Sequence, residues 1–206
     1  MIHFLGGPPR VGKSIIAGTI TRQHGVSAVS TDSLGVVLEA VLDADAAPGL
    51  FAVTRFNEMA EADRVRLLAT NSGKRIRWQV EESTAVWRAV EPFVLREQEE
   101  GRDLVVEGVA VLPELVNQLV TLDYQVVFVG NQENWQSKNI RASARENKHD
   151  WMQNASDEYI DAFVSFVVEM SSYVETEARR YGFRYIEMGG RRFDQAVAEV
   201  VDSLLG

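Results

Sequence analysis

Residues 2–14 read IHFLGGPPRVGKS: an apolar run, then a loop of glycine and proline, then a Gly-Lys-Ser on which a second apolar run begins. Residues 7–14 match the pattern G-x-x-x-x-G-K-[ST] at every fixed position, after a predicted strand and before a predicted helix. Backbone N–H groups of such a loop and the free N–H groups of the helix start converge on an anion, and the helix dipole adds favourable potential. Gly7, Pro8, Pro9, Arg10, Val11, Gly12, Lys13, Ser14 and Ile15 therefore form a candidate phosphate cradle. In that cradle Lys13 serves the β- and γ-phosphates, and the Ser14 hydroxyl is a ligand for Mg²⁺. A structural glycine turn is the competing reading, and the strand and helix on either side weigh against it. Pro8 and Pro9 would stiffen the loop.

The chain has 206 residues, 46% of them hydrophobic and 25% charged, which suits one folded α/β domain spanning residues 1–206 rather than a disordered chain. Cysteine is absent, so thiolate metal sites, disulfides and cysteine nucleophiles are excluded, in keeping with a reducing compartment. The start of the sequence lacks the pattern of a signal peptide, and no apolar run approaches a membrane span, so the expected location is the cytoplasm. The formal net charge of −9 opposes non-specific binding to nucleic acid. An anionic ligand must be met by locally concentrated cations. No metal-ligand spacing arises among His3, His24 and His149, which read as structural. Trp78, Trp87, Trp135 and Trp151 read as packing residues. The sequence is silent on oligomeric state.

Five short apolar runs read as buried strands: residues 2–5, 28–30, 104–106, 125–129 and 184–187. Helical periodicity between them predicts a mostly parallel five-stranded sheet with helices on both faces, a three-layer α/β arrangement. The first helix should start at Lys13 and stop at Gly25. Residues 34–102 are too long for a simple crossover and are expected to hold three helices, one over 76–100. A long amphipathic helix is expected over 157–180, with Ile160, Phe163, Val164, Val167, Met170 and Val174 on its apolar face.

In an open α/β sheet, ligands bind beyond the carboxyl ends of the strands. The second predicted strand ends in Ser30-Thr31-Asp32, where Asp32 could act as base towards an attacking hydroxyl or reach Mg²⁺ through water. The alternative is that Thr31 or Asp32 caps the next helix. The third strand ends in Glu107, and a carboxylate there is costly to bury unless hydrogen-bonded or near a metal. Glu107 thus reads as a group orienting water on Mg²⁺ or as a base, against a surface glutamate opening a loop. Lys138, Arg141, Arg145 and Lys148 recur every three or four residues, stacking on one helical face. They read as a lid over residues 131–154 in which Arg141 and Arg145 stabilise developing charge, against a solvated face paired to Glu133 or Glu146. Arg191 or Arg192 could stack on adenine, against a flexible turn. Lys74, Arg75 and Arg77 form a basic cluster placed before the long helix, read mainly as a solvated loop and alternatively as a site for an anionic acceptor.

The chain resembles the small P-loop kinases, and among them the 2-phosphoglycerate kinase group. GGPPRVGKS is similar to that group's phosphate loop, VSTDSL to its Ser-Thr-Asp-Ser stretch, and LVVEGVAVLPEL to its Glu-Gly-Val-His…Pro stretch. The resemblance implies a P-loop kinase fold with a helical lid, ATP and Mg²⁺ as cofactors, and phosphoryl transfer to a small-molecule acceptor. It implies an acceptor side built from residues 33–100. Two departures stand out. Gly35 follows Leu34 where the group has arginine, and Ala110 stands where it has histidine. Phosphate and Mg²⁺ binding carry over to Gly7, Gly12, Lys13 and Ser14, and site membership to Asp32 and Glu107, but the acceptor does not. Other readings are a nucleotide-binding regulatory module that transfers nothing, and a kinase acting on a nucleotide, a nucleotide-sugar or an RNA end.

Overall fold

The structure, a computed structural model, describes residues 1–133, 137–148 and 150–206. Its sheet consists of β1 (Ile2–Gly6), β2 (Ser27–Ser30), β3 (Leu104–Gly108), β4 (Tyr124–Gly130) and β5 (Arg184–Glu187), in the order β2-β3-β1-β4-β5. All the pairings are parallel. The runs predicted as strands are these five, with ends moved by one or two residues. The helices are α1 (Lys13–His24), α2 (Thr31–Val41), α3 (Ala52–Asn57), α4 (Glu61–Glu99), α5 (Pro113–Val116), α6 (Ser137–Glu146), α7 (Asp157–Arg180) and α8 (Phe193–Leu205).

β1 lies at the centre, and its alternating side chains explain the layers. Phe4 is fully buried and packs on Trp87 of α4 at 5.7 Å between ring centroids. His3 points the other way and donates its Nδ1–H to the Leu204 carbonyl of α8 at 2.7 Å. Helices thus cover both faces: α1 packs with α8, and α4 packs with α7. Every apolar residue predicted on the inner face of α7 is buried, and Ser156 caps that helix by accepting the Tyr159 N–H at 3.1 Å. α1 ends at Gly25, in the left-handed conformation at φ 72°, as predicted.

Three helices occupy the stretch between β2 and β3. The long one departs from expectation. Helical structure begins at Glu61, and one non-helical residue, Asn71 (φ −156°, ψ 52°), joins two helical pieces. The basic cluster at 74–77 therefore lies inside α4 and not in a loop ahead of it. Its members part company: Arg75 is buried and Arg77 is exposed. Among the described residues no helix is long and apolar enough to cross a membrane.

The pairing register sets the site. Leu5 of β1 and Ser30 of β2 both stand opposite Glu107 of β3. The loop after β1, the start of α2 and the end of β3 consequently meet at one edge of the sheet.

Candidate functional site

The loop between β1 and α1 wraps tightly at that edge. Gly7 has φ +149°, and a Cβ there would lie 2.2 Å from the Val129 carbonyl oxygen, so no other residue fits without displacing β4. Arg10 adopts φ 67°, uncommon for a residue with a side chain. Its guanidinium pairs with Asp150, Nη1 donating to Oδ2 at 2.6 Å and Nη2 to Oδ1, and lies 5.3 Å from the Trp151 ring centroid. The Arg10 guanidinium holds the Asp150 carboxyl below the usual carboxylate range. Trp151 in turn packs edge-on against Phe163 of α7. The loop is thereby tied to the segment that follows α6 and, through it, to α7.

Lys13 opens α1 and is only 7% exposed, its Nζ donating to the Pro8 carbonyl at 2.7 Å. Burial pushes its ammonium below the ordinary lysine range, while the Asp32 and Glu107 carboxylates pull the other way. A buried ammonium whose hydrogen-bond contact among the described residues is a neutral carbonyl is the arrangement an anion would complete. Ser14 Oγ donates to Glu107 Oε1 at 3.0 Å. Burial pushes the Glu107 carboxyl up, against the Lys13 ammonium and the Ser14 hydrogen bond. At 6% exposure Glu107 is not a surface glutamate opening a loop, and that alternative falls. The adjacent hydroxyl and carboxylate are hard oxygen donors, a set that suits Mg²⁺, which keeps much of its water and takes one or two protein ligands.

Asp32 lies in the first turn of α2, exposed. The capping alternative also falls, because Ser30 is the cap: its Oγ accepts the Asp32 N–H at 3.2 Å. Thr31 is buried, and its Oγ1 accepts the Ala110 N–H at 3.4 Å. Ile15 is 55% exposed on the first turn of α1.

Next to this loop lies a cavity of about 640 Å³ walled by α2, α3, α4 and α7. Pro9 and Asp32 border it on the loop side, and Trp151 borders it beside α7. Gly35 and Ala110, the two departures from the resembling family, both line it. Glu39, Arg75, Gln79 and Glu82 line it as well, and of these the sequence reading had picked out Arg75 alone. A signal for them exists. The buried stripe of α4 runs through Leu68, Val86, Val90 and Val94 but turns polar at Arg75, Gln79 and Ser83. Burial pushes the Glu82 carboxyl up to about 7, although it accepts the Val53 N–H at 2.9 Å and feels the Arg75 charge.

The cationic stripe is placed differently from its prediction. Lys138, Arg141 and Arg145 lie on α6, while Lys148 lies beyond its end. Arg141 is held by α7, Nε donating to Asp157 at 2.8 Å and Nη2 to Asp161 at 2.7 Å. It is engaged in ion pairs, with partners on α7 in place of Glu133 or Glu146. Arg145 is exposed. Arg191 pairs with Glu199 of α8, and Arg192 with Asp194. Trp135 and His149 lie outside the described residues.

No family model matches the chain. It is similar to a 2-phosphoglycerate kinase of Pyrococcus furiosus, 25% identical over 189 residues that make up 91% of this chain. The chain spans 59% of the length of that relative. Among solved structures, a shikimate kinase from Bacteroides thetaiotaomicron aligns with a TM-score of 0.48 at 16% identity, covering 98% of this chain and 97% of that one. A dephospho-CoA kinase from Campylobacter jejuni aligns with a TM-score of 0.42 at 13% identity, covering 98% and 95% respectively.

Proposed function

We propose that this protein is an ATP-dependent phosphotransferase that moves the γ-phosphoryl group of ATP to a small-molecule acceptor. The observation that carries the reading is the juxtaposition of Lys13, Ser14 and Glu107 at the head of α1 with a cavity bordered by Asp32. The similarity to a 2-phosphoglycerate kinase agrees with it.

Phosphoryl transfer asks a protein mainly for positioning and charge stabilisation. The loop N–H groups of Gly7 and of residues 10–14 hold the phosphates of ATP, and Lys13 neutralises charge at the β- and γ-phosphates. Ser14 would hold Mg²⁺ with Glu107 reaching it through water, and the ion would offset negative charge on the phosphates. Asp32 orients the acceptor hydroxyl in the cavity and takes its proton. A bond forms from that hydroxyl oxygen to the γ-phosphorus as the bond to the bridging oxygen breaks, and ADP leaves. Residues 33–100 supply the acceptor side. Residues 131–154 form the lid, with Arg10 and Asp150 as its contact to the phosphate loop. Arg141 joins the reacting groups only by giving up Asp157 and Asp161 for phosphate.

The test is ATP consumption across phosphorylated acids, sugars, nucleosides and antibiotics, with an acceptor-free control. One acceptor class should stimulate turnover, and Lys13→Ala should nearly abolish it. Near-normal turnover by Lys13→Ala would contradict the proposal. Tight ATP binding with no acceptor-stimulated turnover would point to a nucleotide-binding module that transfers nothing.

A further inference from the structure

The cavity beside the phosphate loop holds a buried cation that makes no ion-pair contact with a carboxylate among the described residues, Glu82 acting on it only from a greater distance. Arg75 projects from α4 and is 5% exposed. The ring centroids of Phe56 and Phe166 lie 5.1 and 4.9 Å from its guanidinium carbon. Nη1 and Nη2 both donate to the same oxygen, Gln79 Oε1, at 3.2 Å, and Nε has no acceptor. Among the described residues no carboxylate lies within ion-pair distance of it. Arg10 makes the contrast: its Nε also lacks an acceptor, but its charge is met by Asp150. A buried charge with no counter-ion in contact is costly, and the flat fork of a guanidinium fits the two oxygens of a carboxylate or phosphate.

The remaining walls restrict what carries that oxyanion. Val36, Val86, Trp151 and Phe163 line the cavity with hydrocarbon, and its volume of about 640 Å³ holds a ring-sized body. Asp32, Glu39 and Glu82 line it too. The Asp32 and Glu39 carboxylates accept hydrogen bonds from hydroxyl groups and repel a second anionic group. Resting on the reading of this cavity as the acceptor side, we infer that the acceptor is an alcohol with an apolar body and a single acid group, which pairs with Arg75 while the hydroxyl faces Asp32.

The test is equilibrium binding to the full chain without nucleotide, followed by ligand-observed NMR. The probes are 3-phenyllactate, its neutral counterpart 3-phenyl-1,2-propanediol, and 2-phosphoglycerate, which has more charge and no apolar body. The acid should bind at least about tenfold more tightly than the diol, the scale of a hydrogen-bonded charge, and more tightly than 2-phosphoglycerate. Arg75→Gln should reduce the acid to the affinity of the diol. Arg75→Lys should retain part of the preference, and Arg77→Gln, on the exposed side of the same helix, all of it. Equal binding of acid and diol, no binding of either, an unchanged acid affinity in Arg75→Gln, or tighter binding of 2-phosphoglycerate would each overturn the inference. Should Arg75→Gln fail to fold by circular dichroism, the wild-type comparison and Arg75→Lys still decide. ATP binding, measured in parallel, separates the two levels. Its absence in the wild type overturns the phosphotransferase reading. Its presence without preference for the acid overturns the acceptor class alone.

Discussion

Glu82→Gln should stabilise the protein at high pH and lose that advantage as the pH falls. Glu82 sits in the cavity wall on α4, where burial pushes its carboxyl from 4.5 up to about 7. The unfolded chain releases this proton near 4.5, whereas the folded chain keeps it until about 7. Between those values the folded state binds more protons, so stability falls as the pH rises, and above 7 the full penalty stands. A displacement of this size corresponds to about 3 kcal/mol. Glutamine stays neutral throughout, and its carbonyl oxygen can keep the Val53 N–H that Glu82 now accepts at 2.9 Å. The stability of the variant relative to wild type should therefore rise by about 3 kcal/mol between pH 4 and pH 8. In a domain of this size that is roughly 6–12 °C in Tm. The measurement is urea unfolding of both proteins at several pH values, by fluorescence and circular dichroism together to check two-state behaviour. Titrating groups not coupled to Glu82 cancel in the difference. A difference independent of pH, or one that favours wild type more strongly as pH rises, would refute the reasoning.

Gly108→Ala should destabilise by about 2–4 kcal/mol, because φ is +147° there and the new Cβ would lie 1.9 Å from Thr31 Oγ1; chemical denaturation at neutral pH measures this. Arg10→Met should cost about 3 kcal/mol at pH 7 by leaving Asp150 buried without its cation. The Asp150 carboxyl is held below its ordinary value, so the pair stabilises above the unfolded carboxylate range and loses its effect as pH falls through the folded one. The cost of Arg10→Met should accordingly shrink in denaturation curves taken towards pH 3.

The strand, loop and helix at the head of the chain were legible because their signals are local: an apolar run, a fixed spacing of glycines and a Gly-Lys-Ser. Glu107 was legible for a related reason, since a carboxylate closing an apolar strand needs partners, and Ser14 and Lys13 supply them. The links across the site were not. Arg10 and Asp150 stand 140 residues apart, and nothing in either neighbourhood announces the pair. Arg141 was readable as part of a cationic stripe, but its partners Asp157 and Asp161 depend on how α6 lies against α7. Arg75 shows where a local reading misleads. Three nearby cations look like a solvated loop, yet a helix that resumes just after Asn71 turns one of them inward and leaves Arg77 outside. The polar interruption of the α4 stripe at Arg75, Gln79 and Ser83 was the signal that periodicity alone offered.

The most direct test of the phosphotransferase account is mass spectrometry of acceptor mixtures incubated with the protein, ATP and Mg²⁺. The account predicts an acceptor heavier by one phosphoryl group, formed in step with ADP and missing with Lys13→Ala. ADP released at the same rate with and without acceptors, with no phosphorylated product, would contradict it.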